Sequence, residues 1–154
     1  MDKTLIGFIQ RAKKATFASL DIKPNKTNDN GLEYIYEERP FLYKDKYFGY
    51  LIDAGQEMVW YNGIPRWSMS YRGGMLKHEE LSKFCFSFLK KCLQKFPKEF
   101  PVRGPKHYEE GNFRYENNWC GDINNFFGEE NIFWKGELVY FRNYLGGMLK
   151  FGLN

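Results

Sequence analysis

The sequence lacks the residue patterns on which most recognisable enzyme chemistry depends. It has only two histidines, His78 and His107, and neither stands in an H-E-x-x-H or Cys-His spacing that would bind zinc. It also has no G-x-x-x-x-G-K-[ST] phosphate loop, no G-x-G-x-x-G after a predicted strand and no G-x-S-x-G nucleophile elbow. We therefore expect no metal, no cofactor and no catalytic residue that the sequence alone can name.

Three further shortages in the sequence limit the expected cellular compartment and the classes of binding partner. The three cysteines, Cys85, Cys92 and Cys120, are odd in number and form no C-x-x-C pair, and Cys85 and Cys92, seven apart on the predicted second helix, are expected to be buried hydrophobes. Apolar runs are too short for a signal peptide or a membrane span, which makes a reducing cytoplasm the default and argues against a membrane partner. No run of Lys or Arg exceeds two residues and the net charge is only +4, which argues against a nucleic-acid partner.

What the sequence does have is a high content of aromatic residues. It contains 15 Phe, 11 Tyr and 4 Trp among 154 residues. Aromatic rings suit the pleated, half-buried surface of a sheet, so strands are expected. The length fits a single domain that can bury one core without disulfides or a metal.

The chain also repeats part of its own pattern. Residues 36–49 align with 108–121 at 6 identities in 14 positions, and 55–76 align with 128–149 at 8 in 22. Most other aligned pairs exchange one bulky residue for another, such as Val59 for Ile132. We interpret this as an internal duplication, with repeats at 4–76 and 78–149 inside one domain spanning 1–154.

Local patterns assign elements to each repeat. Apolar positions at helical spacing predict a helix over 4–18, with Lys13 and Lys14 on its polar side, and a second helix between His78 and Pro97. Asn62-Gly63 predicts a hairpin turn, and Lys135-Gly136 occupies the matching position. The predicted fold class is α+β, a tandem duplication of a helix plus about four antiparallel strands, with the helices on one face of the sheet. The two sets of strands could merge into one sheet or pack about a pseudo-twofold axis.

Glu57 and Glu130 occupy equivalent positions at the entry of a strand. A symmetric pair of carboxylates could do acid-base chemistry or hold a cation in a central cleft. Alternatively, each could accept hydrogen bonds at the same corner of its own repeat. Because both repeats keep the residue, we favour the structural interpretation.

Residues that differ between the repeats are better candidates for specific contact. Several arginines occur in one repeat only, and they could converge on an anionic ligand while aromatic rings stack on it. The alternative is that these arginines cover aromatic surface and pair with nearby acids. The candidate ligand-binding residues are Trp67, Tyr71, Arg72, Arg103, Tyr115, Trp119 and Arg142, together with Glu57 and Glu130.

Three blocks resemble an uncharacterised bacterial and archaeal family known only as a domain of unknown function. They are Y-K-D-K-Y-F-G at 43–49, G-Q-E at 55–57 and W-S-M-S-Y-R-G-G at 67–74, with a weaker second round after RGPKHYEEG. The resemblance covers nearly the whole chain. It implies a sensing or dimerising role, since some members follow a helix-turn-helix module, but it supplies no catalytic residues.

Three functions follow as hypotheses. The first is a non-enzymatic binding domain that captures a small anionic, nucleotide-like ligand and acts as a sensor or a sequestering protein. The second is a protein-binding or inhibitory module that uses an exposed aromatic face of the sheet, with a homodimer also open. The third is a hydrolase or transferase that uses Glu57 and Glu130.

Overall fold

A computed structural model describes residues 3–152, which form nine strands and two short α-helices. The helices are α1 (Lys3–Ala15) and α2 (Ser82–Leu93), the latter preceded by a 3-10 turn at Glu79–Leu81. The first five strands are β1 (Asn25–Lys26), β2 (Leu32–Glu38), β3 (Phe41–Gly49), β4 (Ile52–Tyr61) and β5 (Ile64–Met75). The last four are β6 (His107–Glu110), β7 (Phe113–Asp122), β8 (Asn125–Trp134) and β9 (Glu137–Met148).

All nine strands belong to one continuous antiparallel sheet in the order β1-β2-β3-β4-β5-β9-β8-β7-β6. The two sets of strands meet where β5 pairs with β9, from Trp67 opposite Met148 to Met75 opposite Tyr140. The predicted fold class, a tandem helix-plus-four-strand α+β duplication, is therefore wrong. Strand-edge N–H and C=O groups must be paired when they are buried, and here β5 and β9 pair with each other along nine positions. The result is a mostly β protein.

The hairpin turns that the sequence predicted are confirmed. Asn62 and Gly63 have φ values of 49° and 77°, and Lys135 and Gly136 have values of 49° and 82°. Two consecutive residues with positive φ give the tight turn whose twist matches antiparallel strands. Each hairpin has a register shift close to its turn, between Val59 and Trp60 in one and at 132–133 in the other.

The core lies between the two helices and one face of the sheet. Helix α1 buries Leu5, Phe8, Ile9 and Ala12 against inward residues of β3, β4 and β5, as its apolar spacing predicted. Helix α2 buries a second cluster with Cys85, Phe88, Leu89 and Cys92 against β7, β8 and β9. No helix within residues 3–152 has the length and apolar character needed to cross a membrane.

The opposite face of the sheet is largely open. Burial alternates along β3, where Phe41, Tyr43 and Asp45 are buried while Lys44 and Lys46 are only half-buried. The same alternation in β8 buries Phe126 and exposes Phe127. Because successive side chains of a strand point to opposite faces, one set of residues enters the core and the other forms the open face.

Candidate functional site

The covered face of the sheet contains a cluster of charged side chains that is unusual for a protein interior. Strand positions that point inward supply the acids and one arginine, helix α1 supplies a lysine, and the segment between α2 and β6 supplies a second arginine. This charged cluster consists of Lys13, Asp45, Asp53, Glu57, Arg103, Glu130 and Arg142. Charges are rarely buried unless they are paired, so their contacts decide what the cluster can do.

Lys13 and two acids form one side of the charged cluster. The Lys13 Nζ atom lies 2.7 Å from Glu57 Oε2 and donates to the backbone oxygen of Val102 at 2.6 Å. Asp45 stands directly opposite Glu57 in the register of β3 and β4, and its Oδ1 accepts a hydrogen bond from the Tyr71 hydroxyl at 2.6 Å. Burial, with Glu57 as the next cause, raises the pKa of Asp45 to about 7, so this carboxyl retains a proton through mildly acid pH.

Two arginines form the other side. Arg103 donates to Glu130 Oε1 from Nε at 3.0 Å and also from Nη2, while the Tyr115 hydroxyl donates to Glu130 Oε2 at 2.6 Å. Arg142 Nη1 lies 2.7 Å from Asp53 Oδ1, and Arg142 Nε donates to the Tyr140 hydroxyl at 2.7 Å. Each cation of the charged cluster therefore already has a carboxylate partner.

The cavities beside the charged cluster are very small. One, lined by Asp45, Asp53, Tyr71 and both arginines, has a volume of about 20 Å³, and another beside Lys13 and Glu57 has about 10 Å³. The first has room for about one water molecule, so neither accepts an organic ligand. Residues 3–152 also contain no group of three His, Cys, Asp or Glu side chains that could hold a metal ion. In this arrangement the charged cluster can fix β3, β4, β8 and β9 to α1 and to the segment before β6.

The open face offers a much larger concave region, which we call the open-face hollow. It has a volume of about 710 Å³ and lies over β5, β9, β8 and β7. Its lining combines one cation, one acid, amides and apolar groups in Ser70, Tyr71, Arg72, Asn118, Trp119, Cys120, Phe127, Gly128, Glu129, Asn143, Tyr144 and Leu145. This volume lies in the range of small-molecule sites.

Strand register arranges the outward residues of the hollow in two rows. One row crosses the sheet through Arg72, Asn143, Glu129 and Asn118, and the next through Ser70, Leu145, Phe127 and Cys120. Phe127 and Leu145 are 63% and 62% exposed, which is high for large apolar side chains. The Arg72 guanidinium lies 6.0 Å from the ring centre of Phe141 and has no carboxylate partner within residues 3–152.

Comparison with protein families places the chain among known sequences. Residues 45–149 match the model of a domain of unknown function, DUF5680. The chain belongs to the DUF5680 family. No curated protein and no solved structure matches the chain. The DUF5680 match includes the whole open-face hollow and every member of the charged cluster except Lys13.

The structure places the nine candidate residues of this DUF5680 chain in three locations. Glu57, Glu130, Arg103, Tyr115 and Arg142 come together in the interior, and Tyr71 joins them through Asp45. Arg72 lines the open-face hollow from the open face, whereas Tyr71 and Trp119, which also border it, turn their rings to the covered face, where Trp119 stacks on Phe100. Trp67 belongs to the core, where its Nε1 donates to the Ile123 backbone oxygen at 3.1 Å.

The sequence did not identify Lys13, Asp45 and Asp53 of the charged cluster, nor Glu129 of the open-face hollow. Lys13 was assigned to the polar side of its helix, but it is buried, because a lysine at the border of an apolar stripe can extend its long stem inward. A signal for Asp45 was present, since it occupies an inward position in the alternation Phe41, Tyr43, Asp45 of β3. Glu129 could not be found locally, since only the pairing of β8 with β9 and β7 brings it between Asn143 and Asn118.

Proposed function

We propose that this chain is a non-enzymatic binding domain that captures a small anionic, nucleotide-like ligand in the open-face hollow. In this role it serves as a sensor or as a sequestering protein. The observation that carries the proposal is the concave region of about 710 Å³ in which the exposed Arg72 stands beside amide and apolar groups. A site of this size with a few convergent polar groups is typical of small-ligand binding.

The chemistry of the hollow fits a ligand with a charged end and a flat apolar part. The Arg72 guanidinium can donate two parallel hydrogen bonds to a phosphate or carboxylate. The exposed Phe127 and Leu145 provide apolar surface on which a ring can stack. The ligand would bury these groups, which otherwise stand in water.

The charged cluster supports a structural role for Glu57 and Glu130 rather than catalysis. Both carboxylates are buried against cations, and the adjoining cavities hold no more than about one water. Breaking a buried ion pair usually costs several kcal/mol of stability, so such pairs fix a fold even when they contribute little net energy. The hydrolase or transferase hypothesis therefore has less support than binding.

A thermal-shift screen with nucleotides, sugar phosphates and dinucleotides tests the proposal. A ligand present at 100 times its Kd should raise Tm by about 5–10 °C in a domain of this size. Arg72→Gln should weaken the binding of the ligand about tenfold or more, because it removes a charged donor. Arg66→Gln is the matched control, since Arg66 is also exposed on β5 but lies outside the hollow. No stabilisation by any of these anions, or equal losses in both variants, would refute the proposal.

A second candidate function, a protein-binding module, is favoured by apolar side chains elsewhere on the open face. Ile35 and Phe48 are 47% and 46% exposed and lie on β2 and β3, outside the hollow. They place two exposed apolar side chains at the other end of the face that carries Phe127 and Leu145. A purified protein partner whose binding is lost in Phe48→Ser but kept in Arg72→Gln would favour this function over small-ligand capture.

A further inference from the structure

The order of side chains along the first row of the open-face hollow indicates a particular class of anion, beyond a general affinity for anions. Neighbouring strands lie about 4.8 Å apart, so Arg72 on β5 and Glu129 on β8 are separated by about 10 Å across β9. Asn143 lies between them, and Asn118 lies one strand beyond Glu129. The row therefore presents a cation, an amide, an acid and an amide in sequence.

Resting on the proposed function, we propose that the ligand of the open-face hollow is a guanine mononucleotide. The phosphate lies on Arg72, the ribose hydroxyls lie at Asn143, and the edge of the base lies at Glu129. The length of an extended mononucleotide is comparable with the distance from Arg72 to Glu129. The base stacks on Phe127, which is exposed on the same strand two residues before Glu129.

The acid distinguishes guanine from the other bases. A carboxylate only accepts hydrogen bonds, and guanine presents two adjacent donors, N1–H and N2–H, on its Watson–Crick edge. Adenine presents an acceptor, N1, beside its amino group, so a carboxylate at that edge meets one donor and one lone pair. Asn118 can donate from its amide to guanine O6, which is adjacent to N1.

The structure also shows how Glu129 is held for this role. Asn131 Nδ2 donates to Glu129 Oε1 at 2.7 Å from the same face of β8. A carboxylate oxygen has two lone pairs, so Oε1 can accept a second hydrogen bond and Oε2 has no partner within residues 3–152. Leu145, in the register position opposite Phe127, closes the apolar side of the base.

Equilibrium dialysis with guanosine 5′-monophosphate and adenosine 5′-monophosphate tests the inference. The intact chain should bind the guanine nucleotide at least about tenfold more tightly than the adenine nucleotide. Guanine donates two hydrogen bonds to the Glu129 carboxylate, whereas adenine donates one and places the lone pair of N1 against the carboxylate. Glu129→Gln should remove most of that preference while leaving the adenine nucleotide within about threefold. Glu99→Gln, in the exposed segment after α2, is the matched control and should change neither.

The other outcomes distinguish a failure of the guanine assignment from a failure of the proposed anion site. Binding of both nucleotides with equal or greater affinity for adenine would overturn the guanine assignment but leave the proposed anion site intact. Binding of neither nucleotide would overturn the assignment, and if no other small anion bound, the proposed function would fail with it. Tighter binding of a guanine-containing single-stranded oligonucleotide than of the mononucleotide would overturn the assignment to a free nucleotide.

Discussion

Replacing Asp45 by asparagine should stabilise the protein at neutral pH. Asp45 is buried opposite Glu57, with Lys13 and Arg103 as the nearby cations and the Tyr71 hydroxyl donating to Oδ1. The folded environment raises its pKa from 3.8 to about 7. Asparagine has a similar shape, keeps an oxygen that can accept the hydrogen bond from Tyr71, and carries no charge.

The size and sign of the effect follow from the two pKa values. Between pH 4 and 7 the unfolded chain ionises this carboxyl while the folded chain retains the proton. Each unit of pH in that interval therefore removes about 1.4 kcal/mol of stability from the wild-type chain. Because folding raises the pKa of Asp45 from 3.8 to about 7, the total loss of stability is up to about 4 kcal/mol, and it is complete above pH 7 and absent below pH 4. The asparagine side chain of the variant cannot ionise, so the variant escapes this loss.

Urea unfolding of both proteins at pH 4, 5.5, 7 and 8.5 measures the difference directly. The stability of Asp45→Asn relative to wild type should rise with pH and reach a plateau above pH 7. Asp29→Asn is a control of opposite sign, because Lys46 and Thr27 lower the pKa of the exposed Asp29 to about 2. That variant should be slightly less stable than wild type at pH 7, with the deficit disappearing only in strong acid. A constant difference for Asp45→Asn, or one that falls as pH rises, would refute the argument.

Two further substitutions test the buried ion pair of Glu130 and the packing around Gly128. Glu130→Gln should lower the free energy of unfolding by about 3–5 kcal/mol in urea titrations, because Arg103 would lose its buried carboxylate, and an unchanged value would contradict the structural role. Gly128→Ala should cost about 1–3 kcal/mol in the same assay, because its new Cβ would lie 2.3 Å from the Tyr144 hydroxyl. Gly152→Ala, which has open space around it, serves as the control for that substitution, and an equal effect in both variants would contradict the packing argument.

The sequence was a good guide to elements defined by a few consecutive residues. The apolar spacing of α1 and the Asn62-Gly63 turn depend on local conformational preferences, and the structure confirms both. The junction at which β5 and β9 join depends on pairs such as Tyr71 with Tyr144, which lie 73 residues apart in the sequence. No local pattern encodes that pairing, so the sequence left open whether the two sets of strands merge into one sheet or pack as two units.

The same distinction applies to the candidate site. The alignment of the two similar segments indicated Glu57 and Glu130, and the occurrence of an arginine in only one of the segments or between them indicated Arg103 and Arg142. Each of these residues could be identified from its own position in the sequence. Whether these groups were free or paired could not be predicted, since it depends on where α1 and the segment before β6 cross the sheet. The row from Arg72 to Asn118 likewise exists only through the register of four strands.

The most direct test of the central claim is to follow backbone amide shifts of the isotopically labelled protein by NMR during titration with guanosine 5′-monophosphate. We predict that the largest shifts occur on β5, β9, β8 and β7 around Arg72, Asn143, Glu129 and Phe127, and saturate at one ligand per chain. Shifts confined to the interior residues around Asp53 and Arg142, or no saturable shifts with this or any other small anion, would contradict that claim.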